Sequence, residues 1–289
     1  MTTSSPSRPR AARVQRGDRG AAVAVHSLLI LFAIIALAPI LVVIVNSFKT
    51  TMGIFGAPFA PPAAGTFTVQ GYLDVFTGGD FVTNYRNSAV VTIATIVLTI
   101  VLGTAAAWAL VEYKVRISPI ITGFFIIGIM LPIRLGTVPL LKLMVSWHLI
   151  DTLAALVLIY TAMQLPLAVA LMMTYFRSVP TELKEAARMD GAGEFRVLGI
   201  AIPLVRPGLA AVASITMLPV WNDLWFPLIF APSKQNQTVT LGVQQFVGQF
   251  QSNYPALLAA LTLGAIPLIV LFIVLSRQFI QGLSAGYGK

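Results

Sequence analysis

Six long apolar runs divide the chain, at residues 21–47, 87–111, 117–144, 152–176, 204–230 and 255–276. Each can cross a hydrocarbon core about 30 Å thick, which takes roughly 17–25 helical residues at ~1.5 Å apiece. The first, second and fourth hold no Asp, Glu, Lys or Arg, whereas the third carries Arg134 and Lys142 towards its far end and the fifth carries Asp223. The pattern predicts an all-α integral membrane protein with six transmembrane helices. A basic start before an apolar run also describes a signal peptide, and Ala36-Leu37-Ala38 has the small-x-small form of a cleavage site. The run nevertheless continues through Pro39 to Val45, well past a typical h-region of roughly 7–15 residues. The first run is therefore read as a retained helix.

Composition narrows the class further. Of 289 residues, 57% are hydrophobic and only 10% charged, against roughly 25% charged in soluble domains. With a mean hydropathy of +0.86, this excludes an ordinary soluble domain and a disordered chain. The absence of cysteine excludes disulfide frameworks, thiolate metal sites and cysteine nucleophiles. There is no internal repeat and no heptad pattern.

The net charge of +9 and pI of about 10.2 would suit nucleic-acid binding if the cations were clustered, but their distribution argues for topology instead. With six spans the termini share a side. That side collects Arg8, Arg10, Arg13, Arg16, Arg19, Lys114, Arg116, Arg177, Lys184, Arg188, Arg196, Arg206, Arg277 and Lys289, while the opposite side holds only Lys49, Arg86 and Lys234. The asymmetry predicts that both termini, the turn at 112–116 and the loop at 177–203 are cytoplasmic. Residues 1–20 read as a basic disordered cytoplasmic arm with affinity for anionic lipid, and 21–289 as the membrane domain. The outer segments, 48–86, 146–151 and 231–254, are too short for a separate domain.

The loop at 177–203 holds the most informative string. Pro180 suits the first turn of a helix, Glu182 lies near the positive end of its dipole, and Gly191 supplies a stop. This predicts a surface helix at about 180–192, on which Leu183, Ala186, Ala187 and Asp190 lie near one another and the alanines leave a low seat for another protein. Glu185 offers a charge at its edge. A helix that merely caps the bundle is the alternative on physical grounds alone.

Glu185-Ala186-Ala187, then Asp190-Gly191-Ala192, then Ile202-Pro203-Leu204 resemble the "EAA…G…LP" signature of ABC importer permeases. Trp221-Asn222-Asp223 with Pro227-Leu228, and the tail from Arg277 to Gly286, are similar to the carbohydrate-uptake branch, in particular the second permease of maltose-type systems. Tyr287-Gly288-Lys289 departs from the usual small-hydrophobic-Lys-Gly ending, and the Arg-rich arm is additional. The resemblance implies a type I ABC importer permease fold in a bacterial cytoplasmic membrane. It implies a second permease as heterodimer partner, two ATPase subunits, an extracytoplasmic substrate-binding protein and a sugar cargo. Glu182, Glu185, Ala186, Ala187, Asp190, Gly191, Ala192 and Pro203 would then couple to the ATPase. No Gly-x-x-x-x-Gly-Lys-Ser/Thr string occurs, so ATP and Mg belong on a separate chain, and this chain is expected to bind no cofactor and to do no covalent chemistry.

Polar groups inside a bilayer usually face a partner or a water-filled path. Asn222 and Asp223 follow Pro219, which frees the carbonyl of Ile215 and can kink the fifth helix. Gln164 precedes Pro166 in the fourth span. Tyr160, Trp221 and Trp225 can stack on sugar faces while amides and the carboxylate take hydroxyls. The alternatives are an aromatic-belt role for the tryptophans, helix bridging for the asparagine, and snorkelling for Arg134, which sits between Pro132 and Pro139. Two other cargo or energy classes stand beside the sugar importer: the same importer class for glycerol-phosphate or another polar solute, and an ion-gradient-driven carrier, which would leave the signature string unexplained.

Overall fold

A computed structural model describes residues 17–78, 80–113, 116–248 and 252–285. Side chains are described from 20 to 274 within these bounds. In chain order the helices are α1 (Gly17–Asn46), α2 (Thr51–Gly56), α3 (Gln70–Thr77), α4 (Phe81–Glu112), α5 (Ser118–Met130), α6 (Thr137–Ser146), α7 (Leu153–Arg177), α8 (Thr181–Met189), α9 (Glu194–Ala201), α10 (Arg206–Asn222), α11 (Trp225–Phe230), α12 (Val239–Val243) and α13 (Tyr254–Ala285). The described residues contain no strand, only an isolated bridge between Lys49 and Phe67. Five helical segments are long and apolar enough to cross a membrane, and a sixth is the bent pair α5 and α6.

Several expectations need correcting. The third run is not one rod: its halves meet at 93°, because Leu131 before Pro132 is pushed into extended backbone at φ −70°, ψ 124°. The fifth run was expected to reach residue 230 as one helix. The continuous apolar segment instead spans Glu194–Asn222, and Asp223 at ψ 135° turns the chain out before α11. Pro219 lies inside α10, so the break comes after Asn222 and not at the proline. The helix α1 reaches back to Gly17, into the stretch expected to be disordered; residues 1–16, Lys114 and the ending 286–289 lie outside the described residues.

Packing centres on α4 and α7. Buried Ser88, Thr92, Thr95, Thr99 and Gly103 give α4 a narrow face, and a methyl added at Gly103 would lie 3.1 Å from the Ala168 side chain. Small residues of this kind let two helices approach closely where lipid supplies no hydrophobic drive. Two apolar clusters extend from this pair, one around Trp108, Val169, Met172 and Phe176 towards α8 and α9, the other around Ile159, Tyr160, Phe226 and Phe230 towards the opposite end. A third, with Trp221, Val239, Phe246 and Ala260, joins α10, α12 and α13.

Candidate functional site

Two regions bring together residues singled out in the sequence. The first is α8 and its surroundings. Pro180 is the N-cap of the helix rather than part of its first turn, with extended backbone at φ −54°, ψ 132°, and Glu182 occupies that first turn. At the other end Gly191 is left-handed at φ +79°. Its N–H donates to the Arg188 carbonyl and that of Ala192 to the Ala187 carbonyl, both at 3.0 Å. This paired closure is the Schellman arrangement, which needs a left-handed residue and so favours glycine.

Lys184, at 8% exposed, is turned inward. Its Nζ donates to Glu112 Oε2 at 2.8 Å and sits 5.9 Å over the Trp108 ring. One turn on, Arg188 Nη2 donates to Glu112 Oε1 at 2.7 Å, and Arg188 Nε to Glu194 Oε1 at 2.8 Å. The two carboxylates, Glu194 foremost, push the already high pKa of Arg188 further up, so it remains a cation at any working pH. Glu112 ends α4, where the helix dipole disfavours an anion; the two cations from α8 offset that cost. The clamp thus fastens α8 to α4 and α9.

Fastening one face presents the other. Glu182, Leu183, Glu185, Ala186, Met189 and Asp190 are exposed, Met189 to 88% and neighbouring Phe195 to 92%. Ala187 departs from the expected open face: it packs with Ala192 against the cluster of Trp108 and Phe176, because it follows Lys184 by three positions and shares its inward side. Pro203 opens a 3₁₀ turn, Ile202–Val205, between α9 and α10.

The second region is a cleft of about 290 Å³ lined by Ile133, Arg134, Tyr160, Met163, Gln164, Pro219, Asn222, Asp223 and Phe226. Five of the seven candidate path residues, from three separate runs of sequence, therefore share one cavity. It opens where the two interrupted spans face α7: Arg134 lies on the 3₁₀ turn Ile133–Gly136 after the elbow, and Asp223 at the end of α10. Asp223 Oδ2 accepts from Tyr160 Oη at 2.8 Å and from the Phe226 N–H at 2.9 Å, so the carboxylate both pins α7 and caps α11. Trp225 Nε1 donates to Thr137 Oγ1 at 3.1 Å, tying α11 to α6.

Two aromatic assignments change. Trp221 is 4% exposed; its Nε1 donates to the Gly264 carbonyl at 2.9 Å and its ring meets Tyr85 edge-on. It is a packing residue facing α13, away from this cleft. Tyr160 lines the cleft but is 2% exposed with Phe226 against its ring at 5.9 Å, leaving no open face for a sugar. Asn222 Nδ2 turns back to the Leu218 carbonyl at 3.1 Å. Composition and motif reasoning missed the Glu112, Lys184, Arg188 and Glu194 clamp; the one available signal was the i,i+4 spacing of the two cations on α8.

Residues 99–284 match the family described as binding-protein-dependent transport system inner membrane component. The diacetylchitobiose uptake system permease protein NgcG of Streptomyces coelicolor is 30% identical over 93% of this chain and 89% of its own length. The melibiose/raffinose/stachyose import permease protein MelC of Bacillus subtilis is 30% identical over 90% of this chain and 95% of its own. Among solved structures, a chain of a bacterial ABC transporter involved in the import of the acidic polysaccharide alginate superposes with a TM-score of 0.80 at 22% identity, over 92% of this chain and 99% of that one. Extended similarity to carbohydrate-uptake permeases, the family match and an all-helical fold with five to six apolar spans agree, and the chain belongs to the family of inner membrane components of binding-protein-dependent transport systems.

Proposed function

We propose that this chain is one of two permease subunits of an ATP-driven sugar importer in a bacterial inner membrane, with both termini and α8 on the cytoplasmic side. The observation that carries the reading is α8 itself: a short helix clamped on one face by Glu112 and left open on the other through Glu182, Leu183, Glu185, Ala186, Met189 and Asp190. An ATPase subunit seats on that open face. The lysine and arginine asymmetry supports the orientation, and the family supports partners of three kinds: a second permease, an ATPase and a substrate-binding protein. In this reading the second permease is a different chain, ATP and Mg reside on two ATPase subunits, and closure of the ATPases moves α8 so that the permease pair alternates between inward-facing and outward-facing forms.

The cleft at Arg134, Gln164, Asn222 and Asp223 forms this chain's half of the cargo path. Its amides and carboxylate suit sugar hydroxyls, and the relatives that import oligosaccharides support that class. A second reading, an acidic sugar or a phosphorylated polyol, draws on Arg134: its guanidinium is exposed in the cleft and has no partner among the described residues.

Purification of the tagged chain from its native membrane in mild detergent, followed by mass spectrometry of the subunits retained, tests the assembly. A Walker-motif ATPase and a second permease are expected with the wild type, and loss of the ATPase with Glu185→Lys. Recovery of the chain alone, still moving solute after ATP depletion, sinks the proposal in favour of a gradient-driven carrier.

A further inference from the structure

The helix α4 differs from every other membrane-crossing segment described. Prolines lie inside α1 (Pro39), α7 (Pro166), α10 (Pro219) and α13 (Pro267), and the α5/α6 pair is broken at Pro132, whereas α4 runs its 32 residues without one. An uninterrupted hydrogen-bond ladder of that length extends about 48 Å, enough to reach from one side of a bilayer to the other.

Both ends of this rod are fastened to something other than a neighbouring span. At one end Glu112 grips Lys184 and Arg188 of α8. Nearly two turns in from the other end, Asn87 Nδ2 donates to the carbonyls of Gln235 at 2.8 Å and Gln237 at 3.0 Å, and Ser88 Oγ accepts from the Val239 N–H at 2.8 Å. Two of the three polar anchors are buried, Asn87 at 5% exposed and Ser88 at 2%, and the third, Glu112, is half-buried with its side chain 10% exposed. The seat of α12 on the rod is also tight, since a methyl group at Gly242 would overlap the Asn84 side-chain amide. Hydrogen bonds and ion pairs so little exposed resist sliding, because separating them strands donors and charges away from water.

We infer that α4 is a rigid strut that carries displacement of α8 through the membrane to the 232–243 loop, with Glu112 as the positioning residue at one end and Asn87 and Ser88 at the other. It rests on the proposed importer role and deepens it: the ATPase seat and the loop facing the external binding protein are the two ends of one mechanical element. Seating of the binding protein on that loop reaches the ATPase by the same strut, since coupling between two sites is reciprocal.

The test uses the complete importer in proteoliposomes, with its ATPase and its loaded binding protein. Asn87→Ala combined with Ser88→Ala is expected to leave assembly and ATPase activity without binding protein within about twofold of wild type, and to cut stimulation by the binding protein at least about fivefold, the scale of one lost hydrogen bond. Glu112→Gln, which keeps an acceptor but removes the charge, is expected to produce the same loss of stimulation from the opposite end. Undiminished stimulation in the Asn87/Ser88 variant overturns the strut, whatever Glu112→Gln does. A second measurement needs no disabling variant: the chain has no cysteine, so spin labels at Lys234→Cys and at Thr181→Cys, the exposed first residue of α8, report the length between the two ends. That distance is expected to change by less than about half a helical turn, ~3 Å, between ATP-bound and nucleotide-free states; a larger change overturns the strut. Absence of ATP-dependent uptake by the wild-type importer would instead count against the importer role itself.

Discussion

Two groups of charges occupy this chain, and they are arranged in opposite ways. At the α8 end Glu112, Lys184, Arg188 and Glu194 touch one another at 2.7–2.8 Å, and their formal charges cancel. In the cleft Arg134 and Asp223 line the same cavity without pairing: Asp223 is held by Tyr160 and by the Phe226 N–H, and Arg134 by nothing among the described residues. A closed group of charges has no affinity left for a visitor and serves to fix geometry. An exposed, unpaired cation such as Arg134 adds little to stability and keeps its bonding capacity.

The sharpest way to break this contrast is to remove one member of each group. Glu112→Leu strands Lys184, whose side chain is only 9% exposed, while Arg188 keeps its bond to Glu194. The purified importer is expected to lose about 3 kcal/mol of stability, read as a lower thermal unfolding midpoint, in line with breaking a buried pair. Arg134→Gln is expected to leave that midpoint unchanged. If the solute is anionic, it should raise the apparent KM for uptake about tenfold, the worth of a hydrogen bond to a charged group; an unchanged KM for anionic and neutral sugars alike removes Arg134 from the path. Tyr160→Phe deletes one of two bonds to Asp223 Oδ2 and is expected to cost about 1 kcal/mol in the same melting experiment.

The smallest effect is on pH. Asp151, beside α7 and outside the spans, is held below the ordinary aspartate range chiefly by the Ser233 side chain, with a smaller part from the Ser233 N–H, which donates to Oδ1 at 3.1 Å. A depressed folded-state pKa contributes stability that is present above the unfolded value and is lost as pH falls through the folded one. The 151–233 latch is therefore expected to give flat stability from pH 8 to 5 and to weaken only below about pH 3.9, which a melting series on wild type and Asp151→Asn checks.

What the sequence made legible was set by local chemistry. The existence of the spans follows from apolar length, and the end of α8 from Gly191, since few other residues adopt φ +79°. The elbow in the third run was hidden because hydropathy counts apolar residues without regard to direction; Pro132 carried the information, but prolines in four other spans leave their helices continuous. The cleft was half legible. Polar residues inside apolar runs named its lining, but a lone aromatic does not reveal which way its ring faces, and Trp221 turned out to serve α13. The clamp was illegible for a plainer reason: Glu112 and Lys184 stand 72 positions apart, and nothing in either neighbourhood announces the other.

The elbow also bears on how the protein is built. The α5 arm has 13 residues, about 20 Å of helix, which falls short of the ~30 Å hydrocarbon layer. Released alone into lipid, it would leave the polar backbone at the bend facing acyl chains. Its support comes from α7, where Gly128 lets the arm lie directly on Pro166, and α7 is synthesised after it. The bent form of the third segment is therefore braced by a helix that follows it in the chain, so the elbow is a property of the packed bundle and not of its own sequence alone.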